Sequence, residues 1–93
     1  MNKTYFYEVN NPYSAVIKAH NEDQALEIYE KILSDVEDKK EFFQDLRVIS
    51  DDNVKKRIAR ASFSAEEPRL MTPKEQEDLF YMKAPCLILM ECP

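Results

Sequence analysis

The chain contains no glycine and no tryptophan among its 93 residues. Glycine allows backbone to adopt positive φ and to approach a bound phosphate closely. Without it, the motifs GxGxxG, GxxxxGK(S/T) and GxSxG cannot occur. The sequence therefore argues against Rossmann-type and P-loop nucleotide binding, and against the catalytic elbow of α/β-hydrolases.

Groups that bind metals or act as nucleophiles are also scarce, since there is one histidine, His20, and two cysteines, Cys86 and Cys92. On one extended strand the two thiols would lie about 20 Å apart, beyond disulfide reach. One imidazole with local carboxylates is too small a ligand set for a metal site, and no nucleophile–base arrangement accompanies it. We expect reduced thiols, a turn histidine and a non-enzymatic protein without metal or cofactor.

Long apolar runs are absent too. No stretch approaches the roughly 18 apolar residues of a membrane span, and the opening "MNKTYFYEV" lacks the apolar core of a signal peptide. The composition, 44% hydrophobic and 33% charged, is that of a folded globular protein. We predict a single domain over residues 1–93, located in the cytoplasm and without membrane contact.

Two alternating segments open the chain. Residues 4–9 alternate in side-chain character, residues 13–20 do so again, and the intervening "NNP" is a turn signal. Two such segments joined by a short polar connection predict a β-hairpin. Near the other end, "CLILMEC" (86–92) is an almost unbroken apolar run, which is typical of a strand buried on both faces.

The best-patterned helix follows the hairpin. Asn21 is a favourable N-cap, and Gln24 stands at the position of a capping-box partner. Apolar residues then recur at spacings of three and four, which predicts an amphipathic helix over 22–36 that docks on the sheet.

The remaining elements are shorter. Residues 41–46 form either a helical turn or the approach to a strand at 46–50. Asp51 or Asp52 then caps a helix over 52–62, and residues 62–71 are a loop. Thr72, Pro73 and Glu75 start a helix over 73–83 strongly, because they supply an N-cap, an N1 proline and a capping-box glutamate.

The resulting order is β-β-α-β-α-α-β. It predicts an α+β two-layer sandwich with a mixed sheet and the helices on one face. The apolar run at 86–92 belongs inside that sheet, because it would be costly on an exposed edge.

Charge is segregated along the chain, whose net charge is −5 and pI about 4.9. Residues 20–52 contain 11 acidic and 4 basic residues, a balance of −7, whereas residues 53–65 contain 4 basic residues and no acidic one. The negative net charge of the whole chain disfavours direct nucleic-acid binding.

The segregation leaves three interpretations. In the first, an acidic surface flanked by aromatic anchors binds a basic surface of another protein, such as a nucleic-acid-binding effector; its candidate residues are Glu22, Asp23, Glu27, Glu30, Asp35, Glu37, Asp38, Phe42 and Phe43. In the second, tyrosines and a basic helix line a pocket between protomers of an oligomer and bind a nucleotide-type ligand; its candidates are Lys55, Lys56, Arg57 and Arg60. In the third, the charges are only a solvated surface.

The aromatic-rich first strand, followed by "SAVIKAHNEDQALEIYEKI", resembles small accessory proteins of bacteriophages and mobile elements. In those proteins a strand–helix unit of the type A-x-(N/D)-E-(D/E)-x-A-L-E-(I/L)-Y is common. The resemblance covers residues 4–36 and implies a host-interacting role. Anti-CRISPR and other anti-defence inhibitors are similar in size, in acidity and in their lack of catalytic motifs, so the expected partner is a host protein.

Overall fold

A β-hairpin forms the centre of the sheet. The computed structural model describes residues 3–10, 13–63 and 66–91. Strand β1 (Tyr5–Val9) pairs antiparallel with β2 (Ser14–Ala19), with Tyr7 opposite Ile17. The hairpin is confirmed, although most of its predicted "NNP" turn lies outside the described residues.

Two further strands complete a sheet with the order β3-β1-β2-β4. Strand β3 (Arg47–Ile49) pairs antiparallel with β1, and β4 (Cys86–Glu91) pairs antiparallel with β2. The prediction of a mixed sheet is therefore wrong. Although β3 runs in the same direction as β2, it lies beside β1, so every neighbouring pair is antiparallel.

Strand β4 lies at the edge of the sheet, which corrects the interior position predicted for residues 86–92. Its apolar side chains are nevertheless used on both faces, since Leu87 packs on one core cluster while Ile88 and Leu89 belong to the other. Its sequence resembles that of a buried strand because helices cover both faces of the sheet near it. Cys92 lies outside the described residues.

The first helix, α1 (Glu22–Ile32), begins as predicted. The side chain of Asn21 accepts a hydrogen bond from the Gln24 backbone N–H at 2.8 Å. The Gln24 side chain does not return to the N-cap amide but accepts from the backbone N–H of His20, also at 2.8 Å. Both bonds tie the end of β2 to the first turn of α1.

Helix α1 ends four residues earlier than predicted. A carboxylate oxygen of Glu30 accepts the backbone N–H of Val36 at 3.2 Å, which binds the next segment to the helix side instead of extending it. Asp38 then caps α2 (Lys39–Asp45), which settles the segment left open in the sequence as a helix.

The last two helices start at well-formed caps. Helix α3 (Asp51–Arg60) is capped by Ser50, one residue before the predicted aspartates. Helix α4 (Pro73–Phe80) has the complete predicted capping box between Thr72 and Glu75. The predicted α+β class and element order are confirmed, with α2 added between α1 and β3.

Helices cover both faces of the sheet, so the predicted two-layer arrangement is wrong and the layers are helix, sheet, helix. Side chains that alternate along β1 and β2 enter two separate clusters. The cluster packed with α1 and α2 contains Tyr7, Val9, Ala15, Ile17, Ala19, Ala25, Leu26, Tyr29, Phe42 and Leu46. The cluster packed with α3 and α4 contains Phe6, Val16, Val54, Ile58, Met71, Phe80, Ile88 and Leu89. Both faces of each hairpin strand are buried. The alternation of residue types along these strands therefore could not indicate on which face of the sheet the helices pack.

Candidate functional site

One exposed flank of α1 is acidic. Asp23, Glu27 and Glu30 follow one another at spacings of four and three residues, which places them on the same side of the helix. From Asp23 to Glu30 this row is about 10 Å long. Glu22 adds a fourth carboxylate in the first turn, where the positive end of the helix dipole stabilises it.

The connection between α1 and α2 continues the row. The bond from the Val36 backbone to Glu30 brings the connection against the acidic flank of α1. Asp35 and Glu37 are exposed there, and Asp38 accepts the Glu41 backbone N–H at 3.1 Å as the cap of α2. We call the combined set the acidic surface; its members are Glu22, Asp23, Glu27, Glu30, Asp35, Glu37 and Asp38.

Within the described residues, no member of the acidic surface forms an ion pair. The ion pairs found within residues 3–10, 13–63 and 66–91 join Arg57 to Glu8 and Arg69 to Glu67 and Glu75, and none includes a member of this surface. All seven members are exposed except Glu30, which is half-buried. Their carboxylates are thus held on a fixed scaffold with their charge presented to solvent.

The two predicted aromatic anchors are not equivalent. Phe42 is only 2% exposed and stacks edge-on against Tyr29, with ring centroids 5.1 Å apart. It is therefore a core residue, which removes it from the predicted partner-binding set. Phe43 is half-buried beside it, with ring centroids 5.7 Å apart, and is the one of the pair that a partner can reach.

Two of the four basic residues of α3 are directed to other elements, whereas Lys56 and Arg60, four residues apart, lie on the same side of the helix. Lys55 places its ammonium 4.9 Å above the Phe80 ring of α4. Arg57 turns to the sheet, pairing with Glu8 and donating to the Asn53 side chain at 2.7 Å. Of the predicted basic site, Lys55 and Arg57 are thus engaged with α4 and β1, and Lys56 and Arg60 are exposed to solvent.

A groove of about 1110 Å³ lies between α4, β4 and the segment that follows α3. Arg57 and Arg60 contribute to its rim from α3, and Glu75 and Asp78 from α4. Its apolar lining is formed by Ala61, Phe63, Pro68, Met71, Leu79, Met82, Ile88, Leu89 and Met90. Sequence reasoning missed this groove, since its walls are distant in the chain and residues 62–71 show no periodic pattern.

The tyrosines do not join the arginines. Tyr7 and Tyr29 are buried in the α1–α2 cluster. Tyr81 instead lines a second depression of about 280 Å³ between α3 and α4, together with Lys55. Within one chain, the described residues thus bring one tyrosine and one basic residue of α3 to a common depression, and the predicted pocket between protomers stays a prediction.

The described residues hold no group of three His, Cys, Asp or Glu side chains that is suited to a metal ion. The Nδ1 atom of His20 is hydrogen-bonded to the Lys3 carbonyl at 3.0 Å. Burial raises the pKa of the Cys86 thiol, and the nearby charge of Lys18 opposes that shift. Nor does any helix in the described ranges have the length and apolarity to cross a membrane.

Comparison with known families gives a match over most of the chain. Residues 4–89 match the family described as the YosH C-terminal domain. The chain belongs to that family. No curated protein and no solved structure matches it.

The YosH C-terminal domain match spans both surfaces described above. It begins just before β1 and ends at Leu89, inside β4. The acidic surface lies wholly within it, and so does the groove apart from Met90. Apart from Met90, the residues of both surfaces therefore lie within the region that matches the family.

Proposed function

We propose that this YosH C-terminal domain is a non-enzymatic, phage-type binding protein that modulates a host protein, in the cytoplasm of the host cell, through its acidic surface. The observation that supports the proposal is the set of seven carboxylates without an ion-pair partner in the described ranges, held by α1, the connection that follows it and the cap of α2. Phe43 is a half-buried apolar neighbour at one side.

A basic surface is the chemistry that complements this arrangement. Carboxylates fixed on one side of a protein attract such a surface over a distance and accelerate association, and salt weakens the attraction. Host proteins that bind nucleic acid carry basic surfaces of this kind. Occupying one would block it, which is how a small anti-defence protein can act without catalysis.

The test is a charge reversal that leaves the fold intact. Glu27→Lys, Asp35→Lys and Glu37→Lys are combined in one variant, since these side chains are exposed and none of them caps a helix. The matched control combines Glu66→Lys, Glu77→Lys and Asp78→Lys, three exposed acids outside the acidic surface. Both variants change the net charge equally.

Each tagged protein is used to capture partners from a host lysate over a series of salt concentrations. We expect a stoichiometric protein that is released by salt, is absent with the first variant, and is retained by the control. Equal capture by both variants would discard the acidic surface, as would an empty column with folded wild-type protein.

A second candidate function is binding of a small anionic ligand. The observation that favours it is the groove, whose lining combines the exposed Arg60 with apolar side chains. Nucleotides and cyclic dinucleotides are the probes, read out as a rise in melting temperature. A rise in wild type that disappears in Arg60→Ala supports this function, and no rise with any probe rejects it.

A further inference from the structure

The two edges of the sheet differ in a way that suggests how this domain associates. Strand β3 has only three residues, begins with Arg47 and is followed by the acidic start of α3. Short length and charge are the usual means by which proteins block edge-to-edge pairing. Strand β4 has six residues and carries no charged or proline residue from Cys86 to Met90.

Strand β4 also carries few of the other protective features. A one-residue irregularity opposite the Val16–Ile17 pair leaves Ile88 as an extra residue. Such a bulge twists a strand but does not remove the backbone donors and acceptors of its outer side. Among the described residues, only β2 pairs with β4, so no strand occupies that outer side.

The surroundings of this edge are apolar on both faces of the sheet. Met90 is 53% exposed and Met82 43%, both at the groove. On the opposite face, α1 packs near β4, and its Ile32 side chain is 52% exposed and turned by about 200° from Glu30 on the helix. Glu30 contacts the segment leading to α2, so the acidic flank of α1 faces away from the side that carries Ile32.

We propose that β4 is a homodimer interface, in which the β4 strands of two copies pair antiparallel about a two-fold axis and join the sheets into one of eight strands. An antiparallel edge is complementary to itself, because a two-fold axis brings each donor and acceptor opposite its counterpart. A second copy therefore fits without any further recognition element. Exposed apolar side chains beside the strand would be covered from both faces, and the acidic surfaces of the two copies remain apart.

This interface is independent of the proposed function. Backbone hydrogen bonds and apolar contacts hold the two copies together. The dimer therefore persists at salt concentrations that release a partner from the acidic surface. The grooves of the two copies lie on the same face of the joined sheet, with Met90 of each copy at the junction. Loss of partner binding therefore leaves dimerisation measurable, and loss of dimerisation leaves partner binding measurable.

The experiment compares lysine substitutions at the two edges. Met90→Lys places a cation within the paired stretch of both copies, whereas Val48→Lys makes the same change on β3, where Val48 is 59% exposed. Sedimentation velocity from micromolar to near-millimolar protein gives the dimer dissociation constant. We expect a dimer in wild type and Val48→Lys, and at least a tenfold weaker one in Met90→Lys.

Hydrogen exchange on the wild-type protein provides a readout that needs no variant. Backbone amides of β4 directed away from β2 should become protected as protein concentration rises, and amides of β3 should not. A wild-type protein that stays monomeric over the whole range overturns the proposal. So does a dimer that Val48→Lys weakens as much as Met90→Lys, or one without protection in β4.

Discussion

Arg57 of α3 donates a hydrogen bond to the carboxylate of Glu8 on β1, joining helix to sheet across 49 residues of sequence. The two side chains are 24% and 12% exposed, so the pair is largely withdrawn from water. This relationship explains why the basic helix does not present all its charge to solvent. One of its four cations is used internally.

Removing Arg57 should therefore destabilise the fold. Arg57→Ala leaves the Glu8 carboxylate without its partner, and we expect the free energy of unfolding to fall by about 1–3 kcal/mol in urea titrations. Lys56→Ala, on the exposed side of the same helix, should change it by less than about 0.5 kcal/mol. Equal effects of the two substitutions would mean that the pair contributes nothing specific.

Glu75 makes stability depend on acid pH. Hydrogen bonds from Arg69 and from the Thr72 backbone lower its pKa from 4.5 to about 2. Because this pKa is lower in the folded state, the contribution is full above the unfolded-state pKa and is lost as pH falls from 4.5 towards 2. In acid titrations followed by circular dichroism, Glu75→Gln should lose less stability than wild type over that interval. Parallel curves would contradict this role of Glu75.

The hydroxyl group of Tyr29 connects α1 to the start of β2. It accepts the Tyr13 backbone N–H at 2.7 Å and donates to the Tyr13 carbonyl at 3.1 Å, and the Tyr29 side chain is fully buried. We expect Tyr29→Phe to cost about 1–3 kcal/mol of unfolding free energy, because both backbone groups lose a partner. Tyr13→Phe is the control, since Tyr13 is 52% exposed and contributes only its backbone. A neutral Tyr29→Phe would show that water replaces the hydroxyl.

Phe42 and Phe43 should separate core packing from partner contact. Phe42→Ala leaves a cavity beside Tyr29, and we expect it to lower the free energy of unfolding by about 3–5 kcal/mol. Phe43→Ala, at a half-buried position, should cost clearly less while weakening capture of the host partner. Thermal melts and the lysate capture measure the two effects. A Phe42 variant as stable as the Phe43 variant would contradict the core assignment.

The sequence was most informative where structure depends on residues a few positions apart. The Asn21 cap, the Thr72–Glu75 capping box and the alternation of residues 4–9 all act within one turn or one strand. Their physical cause is local hydrogen bonding and side-chain period, which a single sequence displays directly. The end of α1 was predicted less well, because the Glu30 side chain competes for the Val36 amide.

The candidate site was only partly predictable, because local spacing determines only some of its features. The row of Asp23, Glu27 and Glu30 follows from helical spacing, and the structure adds the bond by which Glu30 holds the connection that carries Asp35 and Glu37. The burial of Phe42 does not follow, because it depends on Tyr29 lying across from it. The groove does not follow either, because three separate segments form it.

The sequence by itself determined the α+β class, the order of its predicted elements and the segregation of charge, since these depend on local pattern and composition. Only the tertiary structure decided that helices cover both faces, that β4 lies at an edge, and that Arg57 meets Glu8. Those outcomes depend on which distant segments pair, and the energy of each pairing comes from contacts that no local window contains. Strand β4 shows the difference most clearly, because its apolar sequence is the same at a centre or at an edge.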